Sequence, residues 1–79
     1  MGDLNNVSRL GVYLKAFRMR KNMTQNEVAR RTGVTTNTVH KWETSFCRPS
    51  LRSLSILAEM MELPLSELVR MSGGDEAED

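Results

Sequence analysis

Thr24-Gln25-Asn26-Glu27-Val28-Ala29-Arg30-Arg31-Thr32-Gly33-Val34-Thr35 runs directly into Thr36-Asn37-Thr38-Val39-His40-Lys41-Trp42-Glu43-Thr44. Gln25, Ala29, Gly33, Val39 and Trp42 fall where two short helices joined by a tight turn need them. Such helices cross closely, so the residue under the crossing must be small, as Ala29 is. Gly33 stands where the chain must reverse through a left-handed conformation, which costs glycine almost nothing. Thr24, followed three positions later by Glu27, reads as a capping box for the first helix, over about 25–32. Thr35 caps the second, over about 36–44. Val39 and Trp42 lie three apart on one face and, with Val28 and Val34, are expected to seal the pair to the rest of the chain. The opposite face of the second helix carries Thr36, Asn37, His40, Lys41 and Thr44 and is polar.

The flanking segments supply what this pair would pack against. Leu10, Leu14 and Phe17, at i, i+4 and i+7, predict a helix over about 8–21 with Ser8 as its cap. Beyond the second helix of the pair, the stretch from Ser45 to Pro49 cannot remain helical through the proline and reads as a loop. Ser50 then caps a fourth helix whose apolar face is Leu51, Leu54, Leu57, Ala58 and Met61. Pro64 opens a short fifth helix with Leu65, Leu68 and Val69 facing inward. No segment alternates as a strand does, and no internal repeat is visible. The expectation is an all-α, compact five-helix domain over residues 8–71. Residues 1–7 are expected to be flexible, and 72–79 to be a disordered acidic tail.

A chain of 79 residues has room for one small domain with a marginal core, which dimerisation would help to stabilise. Its single cysteine, Cys47, has no partner for an internal disulfide and no metal-ligand pairing with the lone histidine, His40. Cys47 is therefore expected to be a half-buried apolar residue in a reducing cytoplasm. No apolar run approaches the length needed to cross a bilayer, and the first residues lack a basic segment leading into an apolar one, so neither a membrane nor an export route is expected. The carboxylates are scattered, no nucleophile stands beside a base, and no glycine-rich phosphate loop is present. An enzyme, a cofactor and a structural metal are accordingly not expected.

Charge points elsewhere. The formal net charge is only +1, yet Asp75, Glu76, Glu78 and Asp79 cluster at the end of the chain, leaving residues 1–74 at +5, with eleven basic against six acidic side chains. Between Arg9 and Arg52, ten basic residues face only Glu27 and Glu43, an excess of eight positive charges around the helix pair. Such a field attracts a polyanion and gives it sequence-independent affinity through counterion release. Placed in a major groove, the polar face described above has suitable chemistry: Asn37 can pair bidentately with adenine, Lys41 can donate to guanine O6 or N7, and Thr36 can meet several bases or a thymine methyl.

Met23 to Thr35, with Val39-His40-Lys41-Trp42-Glu43 and Arg48-Pro49-Ser50, resembles the Cro/phage-repressor helix-turn-helix family over roughly residues 10–69. The resemblance implies a lambda-repressor-like DNA-binding domain of five helices, with its helix-turn-helix at helices two and three. It implies base contacts from Thr36, Asn37 and Lys41, with Thr35 beside them, and a phosphate contact from Gln25; helical geometry adds His40 and Thr44 on the outward face of helix three, and Thr24, Thr38 and Arg48 are further candidates for contact with DNA. Gln25 corresponds to the family glutamine that contacts a phosphate and braces the recognition helix. Arg18 and Glu43 correspond to residues that the family pairs as a structural ion pair across helices one and three. The family commonly has a glycine two residues after the Glu43 position, where this chain has Ser45. The implied function is a transcriptional regulator, a repressor on a palindromic operator in double-stranded DNA, acting as a homodimer in the cytoplasm of a bacterium or encoded by a phage. The apolar Met60, Met61 and Met71 and the fifth helix offer a dimer surface. Alternatives within the resemblance are an activator touching RNA polymerase, an antitoxin with a cognate toxin and a restriction-system controller. A protein-interaction module that keeps the fold without reading DNA is the alternative outside it.

Overall fold

Five helices form in the computed structural model, which describes residues 9–73: α1 (Arg9–Arg20), α2 (Gln25–Thr32), α3 (Thr36–Glu43), α4 (Leu51–Met61) and α5 (Leu65–Met71). No strand occurs among the described residues. The Ser8 cap, the flexible N-terminus and the acidic tail from Asp75 onward lie outside them. Side-chain caps start three of the helices. Thr24 accepts from Glu27 N at the head of α2, within a capping box; Thr35 accepts from Thr38 N at α3; Ser50 accepts from Ser53 N at α4. Pro64 precedes α5 without a side-chain bond, and its fixed φ of −66° leads the chain into the helix.

The helix ends share one device. After each of α1 to α4 a residue adopts positive φ: Asn22 at 57°, Gly33 at 78°, Ser45 at 65° and Glu62 at 59°. The next amide then reaches back five residues, from Met23 to Arg18 O at 2.9 Å, Val34 to Ala29 O at 3.0 Å, Phe46 to Lys41 O at 2.8 Å and Leu63 to Ala58 O at 3.0 Å. This closes carbonyls that a helix end leaves unpaired. Only one of these four reversals uses glycine. Ser45 occupies the left-handed position that the related family commonly gives to glycine, so the turn survives the replacement at the cost of local strain.

The core draws on all five helices: Leu10, Leu14 and Phe17 from α1, Val28 and Ala29 from α2, Val39 and Trp42 from α3, Leu54, Leu57, Ala58 and Met61 from α4, and Leu68 from α5. Helix α2 packs on α3 and α4, while α1 spans α3 and α5. Gly11 permits the close approach of α1 to α3. A Cβ there would sit 2.6 Å from the Trp42 carbonyl oxygen and 3.0 Å from that of Glu43.

Several expectations are corrected. Leu51 is 64% exposed and Leu65 36% exposed. Each occupies the first turn of its helix, where the apolar stripe runs out past its neighbours. Cys47 is exposed rather than half-buried, because the left-handed turn at Ser45 throws Phe46 and Cys47 outward. Of the three methionines, Met61 is buried, whereas Met60 and Met71 are partly buried against the core. Ser72, assigned to the tail, is buried and donates its hydroxyl to Val69 O at 2.9 Å. The folded unit therefore continues past α5.

Candidate nucleic-acid interface

Helix α3 turns Val39, Trp42 and Glu43 into the protein. Thr36, His40 and Thr44, spaced four apart, form an exposed ridge on its other side, and exposed Asn37 lies beside it. His40 is at the middle of this ridge. Lys41 is half-buried at the ridge's edge, with its Nζ 5.6 Å from the centre of the Phe46 ring. Phe46 is itself 77% exposed. The lysine thus has an aromatic resting place, a contact worth about 0.5–1 kcal/mol at an exposed site.

Other candidate residues are already engaged within the chain. Thr35 and Thr38 hydroxyls lie 2.9 Å apart, and Thr35 also caps α3. Half-buried Thr38 falls off the exposed ridge, so it is not brought together with Thr36, Asn37, His40 and Thr44. Thr44 donates to His40 O at 2.9 Å, which leaves its oxygen as an acceptor. Thr24 is exposed but holds the α2 capping box. Arg48 is exposed in the loop after α3, with no ion-pair partner among the described residues. The chain also makes two contacts that sequence reasoning missed. Thr36 donates to Asn26 Oδ1 at 3.1 Å across the turn, and Lys41 lies over Phe46. Neither has a periodic signal, since both depend on how the helices and the loop meet in space.

Beneath the ridge, α3 is fixed to α1 and α2 through one carboxylate. Glu43 accepts from Arg18 Nε at 2.6 Å through Oε2 and from Arg18 Nη2 at 3.1 Å through Oε1. Its Oε1 also accepts from Gln25 Nε2 at 3.0 Å. Arg18 Nη1 donates to Met23 O at 3.0 Å, which ties in the turn before α2. The Arg18 and Glu43 side chains are only 14% and 3% exposed. A two-pronged guanidinium–carboxylate pair defines direction as well as distance. Gln25 therefore braces the last residue of α3. Its Nε2 carries a second hydrogen that this bond does not use.

Among the described residues no three His, Cys, Asp or Glu side chains gather to hold a metal, and no helix is long and apolar enough to cross a membrane. A family model described as Helix-turn-helix domain matches residues 9–71. Among solved structures, the fold is similar to that of the clp gene regulator ClgR from Corynebacterium glutamicum, with a TM-score of 0.69 and 21% identity over 91% of this chain and 77% of that one. No curated protein matches the sequence. The family match runs from the first residue of α1 to the last of α5, and the chain belongs to this helix-turn-helix domain family.

Proposed function

We propose that the protein is a sequence-specific repressor that binds a palindromic operator as a homodimer, with α3 of each copy in the major groove. The observation that carries this is the exposed ridge of α3, polar along its length and held from behind by the Arg18–Glu43–Gln25 network. A helix fixed in this way presents Thr36, Asn37 and His40 to base edges without first having to be ordered. Lys41 joins them on leaving Phe46. Thr24 at the head of α2, Gln25 bonded to the last residue of α3, and exposed Arg48 in the loop after α3 are suited to phosphates, which set the register of the helix on the duplex.

Two copies are favoured by the size of α3. Its eight residues extend about 12 Å, at about 1.5 Å per residue. That covers only a few base pairs, too few to single out a site in a genome. Repression is favoured over activation because covering a promoter requires only duplex binding, whereas activation needs a further surface on polymerase. Footprinting on a selected operator tests the reading. Two protected half-sites with centres about 34 Å apart are expected. A single unrepeated half-site at saturating protein would rule out the dimer.

A further inference from the structure

We propose that Asn26 is a positioning residue for base recognition: by taking the only hydroxyl proton of Thr36, it makes Thr36 an obligate acceptor at the base edge. The inference rests on the reading above, in which α3 enters the major groove. Thr36 Oγ1 donates to Asn26 Oδ1 at 3.1 Å, and both residues are exposed, the first at the head of α3 and the second in the first turn of α2. A threonine hydroxyl has one proton and two lone pairs. With the proton committed to Asn26, only the lone pairs and the methyl group face outward.

In free protein this bond exchanges with water. At a dry interface it is strengthened, and breaking it leaves Asn26 Oδ1 without a partner. The base facing Thr36 then matters. Adenine N6 and cytosine N4 offer the hydrogen that the threonine oxygen can accept. Guanine presents only N7 and O6, two acceptors facing an oxygen with no proton to give. Thymine has an acceptor at O4 and keeps only its methyl contact. Thr36 is therefore expected to exclude guanine while admitting adenine or cytosine, a selectivity that its hydroxyl would not impose if it rotated freely. One net hydrogen bond corresponds to about a three- to tenfold preference.

The test uses the full chain and a selected operator carrying each of the four bases at the position where Thr36→Val alters preference. Wild type should disfavour guanine there by about three- to tenfold. Asn26→Ala, in an exposed helical position that alanine suits, should fold normally and lose this discrimination. Asn26→Asp retains an acceptor for the Thr36 proton and should keep the discrimination, while its negative charge weakens binding to every base alike. In a Thr36→Val background, Asn26→Ala should change the base preference no further. Undiminished exclusion of guanine by Asn26→Ala would overturn the inference, as would an equal effect of that substitution with and without the Thr36 hydroxyl. Absence of any selective duplex binding by wild type would overturn the proposed function and this inference together.

Discussion

In the Glu43→Ala variant, three donors lose their acceptor at once: Arg18 Nε at 2.6 Å, Arg18 Nη2 at 3.1 Å and Gln25 Nε2 at 3.0 Å. The guanidinium then keeps only the Met23 carbonyl, at 3.0 Å. Its side chain is 14% exposed, so water replaces the carboxylate poorly. Removing one partner of a buried pair costs about 3–5 kcal/mol, and the residual exposure of Arg18 places this case near about 3 kcal/mol. A chain of this size has a total stability of about 4–12 kcal/mol. With a urea m-value of about 1 kcal/mol/M, the midpoint should fall by about 3 M. The solvent-exposed pair Glu67–Arg70, with side chains 42% and 61% exposed, provides the control, and Glu67→Ala should cost no more than about 0.5 kcal/mol. Replacing both buried partners, Arg18→Met with Glu43→Leu, should recover most of the loss because no unpaired charge remains. A Glu43→Ala loss below about 1 kcal/mol, or one no larger than that of Glu67→Ala, would refute the reasoning.

Gly11→Ala should destabilise the protein by about 1–3 kcal/mol in thermal melts, despite alanine's better helix propensity, because the new Cβ meets the backbone of α3; an unchanged or raised Tm would contradict the close approach. Glu62→Gly should raise stability by about 0.5–1 kcal/mol, since glycine relieves the left-handed strain and returns part of the gain as backbone entropy; a destabilised variant in denaturant melts would contradict that. Arg48→Ala should weaken binding to all duplex sequences and reduce the slope of log affinity against log salt by about one unit; an unchanged slope would exclude a phosphate contact.

Periodicity and end signals carried much of the fold. Thr24, Thr35 and Ser50 mark helix starts by chemistry that acts within three residues, and Ala29, Gly33, Val39 and Trp42 define the crossing pair by spacing alone. The same period of 3.6 gives the outward direction of Thr36, Asn37, His40 and Thr44. Three left-handed helix ends were not legible, because Asn22, Ser45 and Glu62 adopt a conformation that is normally signalled by glycine. Gly11 has the opposite disguise: it lies inside a helix, and its need for a missing side chain comes from the carbonyls of α3. Apolar spacing overstated burial at Leu51 and Leu65, since a stripe marks direction but not where the neighbouring helix ends. Along the outward face of α3, the direction of the side chains was readable but their internal partners were not. The Thr36–Asn26 bond and the Lys41–Phe46 contact bridge separate elements and appear only when those elements are packed together.

Selection of bound sequences from random duplex DNA by wild type, Asn37→Ala and Lys41→Ala tests most directly whether α3 reads bases. Wild type should enrich one defined sequence. Each variant should enrich the same sequence with relaxed preference at one position, by about 1–3 kcal/mol where a bidentate contact is lost. Variants that lose affinity uniformly and retain the wild-type base preference at every position would contradict the assignment of α3 as the recognition helix.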